Sequence, residues 1–134
     1  MKVISTSSVT STDTNYRHDI ETSGHALIAD EPETAGGLGA GPAPYDYILA
    51  GLGACTAITL RMYAQRKEWD IGVLRVDLSL LKNKEGDAKI ERTLYSSVEL
   101  NDEQWSKLLD IASKTPVTKT LMAGSPITTT LGES

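Results

Sequence analysis

Between positions 47 and 60 the chain reads YILAGLGACTAITL, fourteen residues without a charge. Such a run belongs in a protein core or in a bilayer, and it falls short of the roughly 20 residues that a spanning helix needs. A buried helix is therefore expected, and its flanks fix its ends. Pro44 suits a first turn, where its missing N–H costs nothing, and Asp46 meets the positive end of the helix dipole. Charge returns only at Arg61, Arg66, Lys67 and Glu68, so the pattern predicts a helix from about Pro44 to Lys67. Being apolar almost all round for four turns, it needs cover on several sides. Gly51 and Gly53 would each cost about 1 kcal/mol relative to alanine inside it, which points to another backbone passing close by.

The remainder of the chain suits a single domain over residues 1–134. With 134 residues, 40% of them hydrophobic and 23% charged, it can bury about two-thirds of its unfolded surface around one core. The single cysteine, Cys55, rules out an intramolecular disulfide, and with His18 and His25 as the only histidines no Cys/His cluster is available for a metal. No metal or other cofactor is expected. The net charge of −5 repels phosphate backbones and anionic membranes, so neither nucleic acid nor membrane is an expected partner. The first ten residues, MKVISTSSVT, lack the apolar segment of a secretory signal, which makes a cytoplasmic location the expectation.

Around the helix the pattern is mixed α and β. The first thirty residues alternate small polar and apolar positions, broken at Asp13-Thr14-Asn15 and Ser23-Gly24, and read as three short antiparallel strands. Residues 31–44 carry four glycines and three prolines and form a loop, expected as a mobile flap over the helix N-terminus. That loop has neither a GxxxxGK[ST] nor a GxGxxG pattern, so it carries no phosphate-binding signal. Residues 74–80 (LRVDLSL) alternate as a strand with Leu74, Val76, Leu78 and Leu80 on one face. KNKEGD then turns the chain into a second strand over 88–100, whose inner row of Ile90, Leu94, Val98 and Leu100 includes the charged Arg92. A charge there needs a partner or solvent. Asn101 and Gln104 form a capping box that opens a helix with Trp105, Leu108, Leu109 and Ala112 as its buried stripe. Pro116 ends that helix, and the β-branched stretch 125–131 is expected to close the sheet as a last strand.

Two readings of Cys55 are open: a small hydrophobe filling the core, or a reactive thiol, which needs a nearby cation. Arg61 lies about 240° round the helix from Cys55, leaving Arg17, Arg92 or an arginine of another chain. Asp46 is either a residue that complements the helix N-terminus or part of a site. Arg17 and Arg92 are either members of ordinary ion pairs or activators of the thiol. His18 and His25 read as ordinary strand residues.

Residues 41–69 (GPAPYDYILAGLGACTAITLRMYAQRKEW) resemble the signature of the OsmC/Ohr family, the osmotically inducible protein C and organic hydroperoxide resistance proteins, in its stand-alone OsmC-like branch. HALIADEP before the glycine-rich loop, IERTL in the paired strands and LLDIASKTPVTKTL near the end follow in the family's order. The resemblance implies an α+β fold with antiparallel sheets around a central helix, and an intertwined homodimer with two sites at the interface. It implies further that Cys55 attacks the O–O bond of an organic hydroperoxide and becomes a sulfenic acid. Asp46 matches the family's carboxylate, which orients an activating arginine from the N-terminal strands, for which Arg17 is the nearest candidate. Asp46 lies about 14 Å from Cys55 along the helix, so within one chain it cannot touch the sulfur; across a dimer interface it can act. Thr115 stands where the family's second, resolving cysteine belongs, and Thr118-Lys119 replaces the usual His-Arg after it. Threonine forms no disulfide, so a sulfenic acid at Cys55 needs an external thiol or dithiol as reductant.

The first function this implies is a thiol peroxidase using one cysteine. The alternative is a catalytically inactive homodimeric module of the same fold that binds a small apolar ligand or a protein partner.

Overall fold

A computed structural model describes residues 1–133. These fall into two compact units that divide at Ala50/Gly51, and the helix α1 (Pro44–Lys67) runs from the first into the second.

In the first unit, β1 (Ser7–Ser11), β2 (His18–Thr22) and β3 (His25–Ala29) form an antiparallel sheet in that order. Pairing runs from Ser7 opposite Thr22 and from His18 opposite Ala29. Ser23 and Gly24 turn β2 into β3 with both φ angles positive, at 50° and 76°. This is the two-residue turn whose twist matches a hairpin. The glycine-rich loop is pinned, in contrast to the flap expected. The buried Asp30 carboxylate accepts the amide of Glu31 at 2.8 Å, of Leu38 at 3.2 Å and of Ala40 at 3.0 Å. A Cβ at Gly37 would stand 2.0 Å from the Glu31 carbonyl oxygen, and one at Gly41 2.5 Å from that of Ile28. Only glycine lets the chain close on itself at these two points.

The Ala40 amide and its companions hold the Asp30 carboxyl below the ordinary carboxylate range against the opposing effect of burial, with help from Arg17. A group with a depressed folded pKa stabilises the fold above its unfolded pKa, and that contribution is lost as pH falls through the folded value. Amide exchange at Leu38 and Ala40, followed by NMR, is therefore expected to remain slow through the usual carboxylate range and to accelerate only below it. In Asp30→Asn the same amides are expected to exchange faster at every pH.

In the second unit, β4 (Leu74–Lys82) pairs antiparallel with β5 (Ala88–Ser96), from Leu74 opposite Ser96 to Lys82 opposite Ala88. The helices α2 (Asp102–Ala112) and α3 (Pro116–Ala123) follow. The core gathers Leu60, Ala64, Ile71, Leu100 and Leu108, with Tyr63, Trp69, Leu74, Leu94, Trp105 and Ile111 packed against it. On α1 the buried positions are Leu52, Gly53, Thr56, Leu60 and Ala64, a single stripe at three- and four-residue spacing. Ile58 and Met62 stay exposed, so within its own chain the helix is covered on one side and not on several. By length and composition alone α1 would also suit a bilayer. Its middle turn accepts a hydrogen bond from an arginine of β5, described below.

Several expectations are corrected. Strand β5 stops at Ser96, before Val98 and Leu100. On α2, Leu109 is 56% exposed, and Ile111 takes the expected place of Leu109 against the core. Pro116 does not give way to a strand: it begins α3. Thr115 adopts φ −67° and ψ 154°, the extended conformation that a following proline imposes, and Pro116 then supplies a preset first helical turn. Residues 125–131 form no strand and are exposed; β-branched content decides little without a neighbouring edge. At Gly53 the close neighbour is the Leu78 side chain, 2.8 Å from a built Cβ, while Gly51 has open space.

The capping box forms as read. The Asn101 side chain accepts the Gln104 amide at 2.7 Å, and the Gln104 side chain accepts the Asn101 amide at 3.0 Å. Asn101→Ala is expected to cost about 1 kcal/mol in urea unfolding.

Candidate functional site

Gly53 decides how close β4 lies to α1. With no side chain there, Leu78 comes down onto the helix, and the residue paired with Leu78 on β5 is Arg92. The alternation of β5 turns Arg92 to the same face as Ile90 and Leu94, so a guanidinium enters an apolar row. Its partners there are neutral. One terminal nitrogen, Nη1, donates to Thr56 Oγ1 at 2.8 Å and to Thr118 Oγ1 at 3.0 Å, and Nη2 donates to the Ala112 carbonyl at 2.8 Å.

The hydroxyls continue the network. Thr56, fully buried, donates to the Leu52 carbonyl at 2.7 Å, which leaves its lone pairs free for Arg92. Thr118 Oγ1 reaches the Ala112 carbonyl at 3.3 Å and lies 2.6 Å from Thr115 Oγ1. With the Thr118 proton directed to the carbonyl, Thr115 is the donor of that pair. Thr115, at the position of the resolving cysteine in the resemblance, is thus a buried hydroxyl tied through Thr118 to Arg92.

Cys55 sits beside Thr56 on α1, half-buried and free. Its sulfur lies 4.0 Å from Thr59 Oγ1, a weak contact. Burial lowers the Arg92 pKa, and the charge of Cys55 acts in the opposite direction by favouring the protonated guanidinium. Arg61 is turned away from Cys55, as its helical position requires, and donates to the Gly72 carbonyl at 2.5 Å.

Arg92 and Thr118 also line an open groove of about 760 Å³. Its other walls are mainly apolar: Leu52, Leu80, Ile90, Leu121 and Met122.

The other candidates lie in the first unit. Asp46 accepts the Ala43 amide at 2.9 Å and so closes the start of α1. Arg17 is 3.9 Å from Asp19 through Nε, a half-exposed pair, and it contributes to the charge environment of Asp30. Its Nε is buried without a hydrogen-bond partner. His18 shares a hydrogen bond with the Tyr16 carbonyl at 2.9 Å. Among the described residues no group of three or more His, Cys, Asp or Glu side chains is arranged to hold a metal.

Sequence reading singled out Arg92 as a misplaced charge but not its partners. Thr56 and Thr118 carry no signal of their own; only the position of Arg92 in an inward row shows that hydroxyls must meet it. The role of Asp30 was likewise hidden, because a single aspartate beside a glycine-rich loop looks like any other polar loop residue.

An α+β chain with a thiol on its long central helix and antiparallel strands against it defines a recognised class. Residues 36–130 match the family model described as OsmC-like protein, and the chain belongs to the OsmC-like family. Solved structures share the fold. A protein from Psychrobacter arcticus, described as an osmotic stress induced and detoxification response protein, is 20% identical, with a TM-score of 0.77 over 90% of each chain. The OsmC-like protein of Mycoplasma pneumoniae is 17% identical, with a TM-score of 0.73 over 91% of this chain and 89% of that one. The organic hydroperoxide resistance protein OhrB of Bacillus subtilis is 21% identical, with a TM-score of 0.62 over 88% and 90%. No curated protein matches the chain.

Proposed function

We propose that this protein is a thiol peroxidase that reduces organic hydroperoxides through Cys55. The observation that carries the reading is the half-buried position of Cys55. A cysteine kept only to fill the core would share the burial of Leu52, Thr56 and Leu60; this one is only partly buried. Family membership adds weight, since organic hydroperoxide resistance proteins share the fold.

In the proposed reaction the Cys55 thiolate attacks one oxygen of the hydroperoxide. The O–O bond breaks, and the leaving alkoxide takes a proton to become the alcohol. Cys55 is left as a sulfenic acid. One external thiol condenses with it to give a mixed disulfide and water, and a second thiol releases Cys55 and leaves as the oxidised disulfide. Thr115 offers no sulfur, so both reducing equivalents come from outside the chain. Two copies form the working unit in this reading, with Asp46 and Arg17 of one copy completing the site around the thiol of the other, in the cytoplasm.

Consumption of cumene hydroperoxide in excess dithiothreitol tests the proposal, with Cys55→Ser beside it. Turnover that disappears in the variant is expected. Wild-type turnover no greater than that of the variant would leave the second reading, a non-enzymatic module that takes a small apolar ligand, which the apolar walls of the groove favour.

A further inference from the structure

A guanidinium has five N–H groups, and in Arg92 the protein engages three of them. Nη1 directs both of its own to Thr56 and Thr118, and Nη2 directs one to the Ala112 carbonyl. Thr118 Oγ1 and the Ala112 oxygen lie 3.3 Å apart, so the bonds to these two run side by side off the outer end of the group. What remains is the Nε–H and the second N–H of Nη2. These point in parallel from the side edge, at the spacing of the two oxygens of a carboxylate. Among the described residues Nε has no hydrogen-bond partner, and no acidic group lies within ion-pair distance of Arg92. Nor is Nε sealed in the interior, since the buried side-chain nitrogen left without a partner is that of Arg17. The groove that Arg92 lines, about 760 Å³, has the size of a small-molecule site. No acidic side chain lines it, and Lys89, held 3.4 Å from Glu91, adds a second cation to its lining.

We propose that this groove binds a fatty carboxylate, an unbranched hydrocarbon chain with an acid head, the head taken by the free edge of Arg92 and the chain laid along Leu80, Ile90, Leu121 and Met122. Charge complementarity selects the occupant. A wholly apolar ligand would leave the guanidinium covered and unpaired, which is unfavourable, whereas a carboxylate compensates the charge through two parallel hydrogen bonds. The seat is preorganised, because Thr56, Thr118 and the Ala112 carbonyl already fix the plane of the guanidinium. Leu121 and Met122 are exposed, at 41% and 81%, so a chain lying on them removes apolar surface from water. The proposal does not depend on the chemistry of Cys55.

Calorimetric titration with decanoate, with decanol as the same chain without the charge, tests it in the wild type, Arg92→Met and Leu121→Glu. Melting curves verify that each variant is folded, and light scattering gives the oligomeric state. Decanoate is expected to bind the wild type about tenfold more tightly than decanol. In Arg92→Met that preference is expected to vanish. Leu121→Glu, which sets a like charge in the groove wall, is expected to weaken decanoate about tenfold. Equal affinity for decanoate and decanol in the wild type would overturn the proposal, and so would an unchanged preference in a folded Arg92→Met. If Arg92→Met does not fold, unchanged decanoate binding in Leu121→Glu overturns it instead. Failure of the wild type to bind decanoate also overturns it, and in a dimeric protein that result assigns the groove to a second copy of the chain. Cumene hydroperoxide turnover, measured in parallel, keeps the two readings apart. Decanoate binding without turnover defeats only the peroxidase reading, and turnover without a preference for the carboxylate defeats only this one.

Discussion

On the proposed reaction, the protein held in excess organic hydroperoxide with no thiol present is expected to lose its turnover completely and irreversibly. The first equivalent turns Cys55 into a sulfenic acid and releases one alcohol. With Cys55 as the single cysteine, nothing in the chain can capture that intermediate as a disulfide. A second equivalent then oxidises it to the sulfinic acid, which dithiols do not reduce. Intact mass should rise by two oxygen atoms, and dithiothreitol added afterwards should restore none of the activity. The same thiol present from the start should protect it. A gain of one oxygen that dithiothreitol fully reverses would show that the sulfenic acid is sheltered by some other means.

The largest expected effect on stability is at Leu60. Its side chain is 0% exposed, and with Ala64 it joins α1 to Ile71, Leu100 and Leu108. Leu60→Ala deletes buried methyl groups and leaves a cavity, at a cost of about 2–5 kcal/mol. Urea unfolding should show a lower midpoint with an unchanged slope, the signature of lost stability without a change in the surface exposed. Because α1 also carries Cys55, alkylation in the variant should become faster as local opening increases. A loss below 1 kcal/mol would mean that the core closes over the gap.

Much of this fold is legible in the residues alone. The limits of α1 follow from Pro44 and from the return of charge at Arg66 and Lys67, and the structure has the helix over the same span. Both strands of the β4–β5 pair announce themselves by alternation, and the capping box by Asn101 and Gln104. What failed depended on partners far away in sequence. Pro116 can end one helix or begin another, and only the extended conformation of Thr115 decides it. The stretch 125–131 has strand composition but no paired edge in the described chain. At the site, the thiol and the odd arginine were readable. The seat of the arginine was not, since it depends on Gly53 admitting Leu78, on the register that sets Leu78 opposite Arg92, and on two threonines that look like any others.

The single thiol of the chain also has a consequence for thermodynamics. A second cysteine joined to it would close a loop and restrict the unfolded chain, adding roughly 4 kcal/mol for a loop of about sixty residues. Proteins built that way would melt at different temperatures in their oxidised and reduced forms, so their folding would report the redox balance of their surroundings. In this protein the covalent connectivity of the chain is the same before and after oxidation of its single thiol. Its melting temperature should therefore be nearly the same in a reducing and in a mildly oxidising medium.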